Sequence, residues 1–227
     1  MASADLVVEA TADAAARTAA DVIGRTLRAA IAERGTASVA FSGGKTPIPM
    51  LAALARDPLP WQSVHVFQVD ERMAPDGHAE RNSTALRDAL LDQVDTSSHL
   101  MDVTASDLLE SAQRYAALLR AHAPLDVVHL GVGDDGHTAS WPPGDPVCDD
   151  RDHDVAIVGR FRGFARMTIT PRVVDDARSV VMLVAGIEKA SVLARMLAGD
   201  RFVVASRVVG ERTVVVADEA AASSVYR

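Results

Sequence analysis

Short β-rich apolar runs alternate along the chain with stretches whose apolar residues recur at helical spacing. Residues 6–9 form the first run. The alanine-rich stretch 11–34 follows, with Val22, Ile23, Leu27, Ala30 and Ile31 on one face and Gly35 placed to end the helix. Residues 38–41 predict a buried strand running into Ser42-Gly43-Gly44-Lys45-Thr46-Pro47. Thr46 is expected to cap a helix there, with Pro47 in its first turn and Met50, Leu51 and Leu54 on its apolar face. A strand at 64–69 ends in Asp70-Glu71-Arg72, and Asn82 or Ser83 is expected to cap a helix through Leu91. A helix over about 107–122 turns Leu108, Tyr115, Leu118 and Leu119 to one side. The strand 126–130 opens into a glycine-rich loop, 131–137. Strands at 155–158, 167–170 and 180–184, a helix at 188–197 and a strand at 213–217 complete the pattern.

Strands alternating with helices, several of them continuously apolar, predict a mostly parallel twisted sheet with helices on both faces. At 227 residues and 48% hydrophobic, residues 1–227 are read as a single α/β domain with a real core. The longest apolar stretch, 180–187, is far shorter than the roughly 20 residues of a bilayer span. Asp5, Glu9 and Asp13 stand where a secretory leader would be basic and apolar, and the lone Cys148 cannot form an internal disulfide. A cytoplasmic protein is expected. With a net charge of −8 and no basic run, neither nucleic acid nor a membrane surface is expected as a partner. Lys45 and Lys189 are the sole lysines among 23 basic residues.

Ligands of open α/β sheets bind beyond the carboxyl ends of strands. Four such ends carry polar loops, at 42–46, 70–72, 131–138 and 185–189, and they converge on one pocket if the strands are neighbours. Ser42, Gly43, Gly44, Lys45 and Thr46 offer backbone amides, hydroxyls and an ammonium at a helix start, a combination suited to phosphate. Lys189 and Arg72 could add cations to the same anion, Arg72 in two-point fashion. Asp135-Gly136-His137 is the sharpest local feature: a histidine titrates near ~6.5, so His137 could take a proton from water and return it, with Asp135 orienting its ring. His65 and His129 lie inside strands and read as structural; His78, His99, His122 and His153 read as surface or loop residues. Nothing stands at metal-ligand spacing to His137, so no metal is expected there, and no nucleophile elbow surrounds Ser42 or Ser140.

In order, these segments resemble the 6-phosphogluconolactonase family, of the sugar-phosphate isomerase/deaminase fold type. The resemblance runs from about Ala12 to Ala222. It rests on Ser42-Gly43-Gly44-Lys45-Thr46-Pro47, on Asp70-Glu71-Arg72 with Asn82, and on Asp135-Gly136-His137-Thr138-Ala139-Ser140 with Pro143-Gly144. Arg166-Met167-Thr168-Ile169-Thr170 and Gly186-Ile187-Glu188-Lys189-Ala190 complete it. The resemblance implies hydrolysis of 6-phospho-D-glucono-1,5-lactone without metal or organic cofactor, by a monomer or small homo-oligomer. It makes His137 the general base, with Asp135 beside it, and gives the phosphate and sugar to Ser42, Gly43, Gly44, Lys45, Thr46, Asp70, Arg72, Gly136, Arg166 and Lys189. The chain departs from the family at Lys45 and Arg81, each where serine is usual. It departs again at Trp141-Pro142, which stands in place of leucine-phenylalanine and is expected to reshape the wall beside His137.

Two rival readings share these loops. Glucosamine-6-phosphate deaminase has a tyrosine where this chain has Arg72, and a glutamate, needed for proton transfer, where it has Pro142. A non-catalytic sugar-phosphate sensor would keep the phosphate loops without needing Asp135-Gly136-His137. Such a sensor is also expected to carry a separate helix-turn-helix module, and none is expected before the first strand.

Overall fold

The computed structural model describes residues 4–225. Its strands, in chain order, are β1 (Asp5–Glu9), β2 (Ala37–Phe41), β3 (Val64–Gln68), β4 (Asp70–Arg72), β5 (Ser97–His99), β6 (Val127–Leu130), β7 (Val155–Phe161), β8 (Phe164–Ile169), β9 (Val180–Val184) and β10 (Thr213–Asp218). The helices are α1 (Ala12–Arg34), α2 (Ile48–Ala55), α3 (Asn82–Leu86), α4 (Leu108–Ala121), α5 (Pro171–Asp176), α6 (Ala190–Leu197) and α7 (Glu219–Ala222). Seven strands form a wholly parallel sheet in the order β1-β10-β9-β6-β2-β3-β5. The other three form a small antiparallel sheet, β4-β8-β7.

The chain builds β2, β3 and β5 outward in one direction. It then crosses back to lay β6, β9 and β10 in the other. Strand order therefore reverses between β2 and β6, and a crevice opens beyond their carboxyl ends, where the loops diverge to opposite faces.

Each face of the large sheet buries its own core. On one, α1 packs through Ala15, Ala16, Ala19, Ile23 and Leu27, the three alanines letting the helix lie close to the strands. Ile23 and Leu27 are fully buried, contributing about 1.5–3 kcal/mol each. Thr11 caps the start by accepting from the Ala14 amide, and Gly35 ends the helix at φ +81°. On the other face, Tyr115 of α4 both donates to the Gln68 carbonyl and accepts from the Gln68 amide, at 2.8 and 2.7 Å. That pair fixes α4 to the end of β3.

The fold differs from the sequence reading in several places. Asp70-Glu71-Arg72 is a strand of the second sheet and not a loop, because its backbone pairs with Thr168, Met167 and Arg166. Thr46 does not cap α2: the helix starts at Ile48 behind Pro47, without a side-chain cap. Neither Asn82 nor Ser83 caps α3; their amides donate instead to the Glu71 carboxylate. The helix expected through Leu91 passes from α3 into a wider turn at Arg87–Leu91. Leu118 is 40% exposed, because Ala112, Ala116 and Leu119 take the inward positions of α4. The helix expected from 188 opens as a tight turn at Ile187–Lys189 before α6. β7 and β8 run longer than expected and form a hairpin whose two turn residues, Arg162 and Gly163, both have positive φ. The strand β5 and the helices α5 and α7 had no counterpart in the expected pattern. Among the described residues no helix is long and apolar enough to cross a membrane.

Candidate active site

Beyond the carboxyl ends of β2, β6 and β9 lies a cleft of about 180 Å³. Ser42, Gly43, Gly44, Thr46 and Pro47 wall one side, and Gly131, Val132, Gly133, His137 and Ala139 wall another. Asp70 and Arg72 of β4, Arg166 of β8, Asn82, His129 and Lys189 add polar groups to the lining. The first sheet thus supplies the loops, while the small second sheet folds over their ends and supplies two arginines.

Those arginines face each other directly across the β4–β8 ladder. Like charges placed opposite in this way repel unless something negative lies between or beside them. Asp70 is the carboxylate at hand: Arg166 Nη1 lies 3.5 Å from its Oδ2. Asp70 also accepts from Ser140 Oγ (2.5 Å) and Asn82 Nδ2 (3.0 Å), and burial pushes its carboxyl above the usual range. One buried carboxylate set against Arg72, Arg166 and Lys189 leaves the lining with an excess of positive charge, so the cleft suits an anion.

Glu71 alternates to the other side of β4 and is fully buried. Its oxygens accept from the amides of Arg72, Asn82 and Ser83 and from Gln68 Nε2, and Arg81 Nε pairs with it at 3.0 Å. Burial alone would raise its pKa; these hydrogen bonds hold it below the ordinary value. Glu71 and Arg81 therefore anchor the start of α3, and Asn82 is presented to the cleft. The approach is close enough that a Cβ on Gly43 would stand 2.0 Å from Asn82 Oδ1.

His137 is held by its own loop. Its Nδ1 lies 2.5 Å from Asp135 Oδ1, and its amide donates to the same oxygen at 3.1 Å. An ionised carboxylate can only accept, so Nδ1 carries the proton and Nε2 keeps its lone pair. The ring stands edge-on to Phe161, with centroids 5.0 Å apart, at the tip of the β7–β8 hairpin. A Cβ on Gly133 would lie 2.0 Å from His137 Nδ1, so the ring occupies space that any side chain there would fill. Burial lowers the His137 pKa against the raising influence of Asp135, so the imidazole is neutral near pH 7. Neutral, oriented and with Nε2 unengaged by Asp135, it can accept a proton from water. Arg162 pairs with both Asp134 and Asp135, so the hairpin tip braces the carboxylate that braces the histidine.

Of the residues singled out in the sequence, Ser42, Gly43, Gly44, Thr46, Asp70, Arg72, His137, Arg166 and Lys189 meet at this cleft. Lys45 is exposed and stands outside the lining, as do Asp135, which acts behind His137, and Gly136, whose carbonyl accepts from the Ala205 amide. Trp141 does not shape the wall beside His137. It is fully buried in the core, with its indole N–H on the Ile169 carbonyl at 2.8 Å. Reading the sequence missed Phe161 and Arg162, for which the Arg162-Gly163 turn was the available signal. His129, read as structural, is 1% exposed and sits in the wall of the cleft. Neither ring nitrogen of His129 has a hydrogen-bond partner among the described residues, nor do Ser42 Oγ and Asn82 Oδ1. All four atoms are buried, so these unpaired groups lie within the wall of the cleft and not on its open surface.

Residues 10–215 match the family described as glucosamine-6-phosphate isomerases/6-phosphogluconolactonase. The chain belongs to this family. Among its relatives, the 6-phosphogluconolactonase of Synechocystis sp. is 43% identical over 182 residues, covering 75% of each chain. The 6-phosphogluconolactonase of Streptomyces coelicolor is 34% identical over 223 residues, covering 86% of this chain and 85% of that one. The solved structure of 6-phosphogluconolactonase from Trypanosoma brucei superposes with a TM-score of 0.88 at 24% identity, over 99% of this chain and 100% of the other. At that identity the likeness speaks for the fold. The family's description spans two chemistries, an isomerase and a lactonase, and the cleft has to decide between them.

Proposed function

We propose that the chain is a 6-phosphogluconolactonase, hydrolysing 6-phospho-D-glucono-1,5-lactone to 6-phospho-D-gluconate. The observation that carries this reading is the neutral His137 imidazole, held by Asp135, opening into the cleft that Arg72, Arg166 and Lys189 make positive. In this reading the cations and the amides of the 43–46 loop bind the phosphate, which orients the lactone ring toward His137. His137 Nε2 takes a proton from water as the water oxygen bonds to the lactone carbonyl carbon. The tetrahedral oxyanion accepts hydrogen bonds from loop amides. As it collapses, the bond to the ring oxygen breaks and His137 returns the proton to that oxygen. Ring opening thus ends in a carboxylic acid, which ionises, and a hydroxyl. No step requires a metal, and the reading takes the enzyme as cytoplasmic.

Relatives named 6-phosphogluconolactonase at 43% and 34% identity support the lactone over the amino sugar. So does the lining: among the described residues Asp70 is its single carboxylate, and Pro142 stands outside it. The test offers both substrates to the purified protein. Acid production from freshly made 6-phosphogluconolactone well above the no-enzyme blank, with no ammonia released from glucosamine 6-phosphate, is the expected result. Ammonia release would assign the deaminase reaction. Binding of 6-phosphogluconate with no turnover of either substrate would make the protein a sensor.

A further inference from the structure

A second cluster of histidines lies at the other end of the sheet from the cleft. His65 is the second residue of β3, His99 ends the edge strand β5, and His122 follows the last turn of α4, just before the chain enters β6. One ring nitrogen from each lies within 4.8 Å of one on each of the other two. His65 Nδ1 and His99 Nε2 are 3.2 Å apart. Two nitrogens bound to one tetrahedral zinc, each at about 2.0–2.1 Å, stand roughly 3.3–3.4 Å apart, so this pair already has the spacing of two ligands.

His122 is oriented as a ligand would be. Its Nδ1 lies 2.9 Å from the Leu118 carbonyl, which can only accept; Nδ1 therefore carries the proton and Nε2 keeps its lone pair. Metal-bound histidines are commonly fixed in this way by a carbonyl behind the second nitrogen. Aromatic packing accounts for part of the cluster, since Phe67 stacks on His99 with centroids 4.5 Å apart. Ring stacking does not require three nitrogens to converge. His65 and His122 border an open cleft of about 200 Å³. Asp126, in the same cleft, is committed to the Ser38 amide and to Arg34 and Arg178.

We propose that His65, His99 and His122 form a binding site for a divalent transition-metal ion of the zinc class, clamping the edge strand β5 to β3 and to the end of α4. An all-imidazole donor set selects zinc, copper, nickel or cobalt over calcium or magnesium. The site is separate from the proposed lactonase chemistry, which uses none of these three residues.

The test is titration of chelator-stripped protein with zinc chloride, followed by calorimetry and thermal unfolding, with cobalt(II) as an optical reporter of geometry. One zinc ion per chain, a thermal midpoint that rises with zinc, and a tetrahedral cobalt spectrum are expected. His122→Gln, at a helix end, and His99→Gln should each weaken zinc binding by at least about tenfold. Lactone hydrolysis should be unchanged in both variants, while His137→Ala should bind zinc as the wild type does. Absence of saturable binding to the wild type would overturn the proposal. So would undiminished affinity in either glutamine variant, or loss of the ion in His137→Ala, which would put it at the other cleft.

Discussion

His137 sits between opposing influences, with burial lowering its pKa and the Asp135 carboxylate raising it. A base must be neutral to act, so the acid limb of kcat/KM should fall below the ordinary imidazole value of ~6.5. Asp135→Asn removes the raising influence. The limb should then move to still lower pH, and kcat should drop, by as much as roughly 10⁴-fold if the carboxylate also fixes the tautomer. A pH–rate profile of the variant checks both effects; an unmoved limb with unchanged kcat would reduce Asp135 to a loop-shaping residue. At this scale the sequence was legible where chemistry is local, because Asp135 and His137 are two residues apart in a glycine-rich loop. It was not legible for Asn82 or His129, which reach the cleft through an α3 start anchored by Glu71 and through the face of a buried strand.

The β7–β8 hairpin belongs to the smaller sheet, yet its tip supports the histidine. Phe161 packs on the ring, Arg162 pairs with Asp134 and Asp135, and Arg166 Nε donates to the Phe161 carbonyl at 3.1 Å. The Arg162 charge lowers the His137 pKa. Arg162→Ala should therefore shift the acid limb of kcat/KM upward, opposite in sign to Asp135→Asn. The same pH–rate profile reads it, and a downward shift would contradict the arrangement. Both strands were readable from their apolar residues. Their pairing was not, because it depends on two consecutive positive φ values at Arg162 and Gly163. Nor did any local pattern show that Asp70-Glu71-Arg72 leaves the first sheet to become the third strand of the second.

The whole molecule places its cleft where strand order reverses, between β2 and β6. Alternating periodicities were enough to read the α/β class, whereas strand order depends on long-range pairing that the pattern does not encode. The same long-range pairing brings together His65, His99 and His122, which are scattered along the chain. It also leaves His129 on a central strand, where burial pushes its pKa down to about 3. In the unfolded chain this group titrates near ~6.5. Its stabilising neutrality is therefore complete above that pH and is lost progressively as pH falls toward 3. Between pH 7 and pH 5 the wild type should lose about 2 kcal/mol more stability than His129→Leu, measurable from urea unfolding midpoints at the two pH values. Equal losses would mean that His129 does not report on the acid stability of the sheet.

The central claim is that His137 activates water against a phosphorylated lactone in this cleft. Hydrolysis of freshly generated 6-phosphogluconolactone by wild type and by His137→Ala, each read against the spontaneous rate, tests it most directly. The account predicts fast wild-type turnover and a loss of roughly 10²–10⁴-fold in kcat for His137→Ala, which should still bind 6-phosphogluconate. A variant that turns over near the wild-type rate would contradict it.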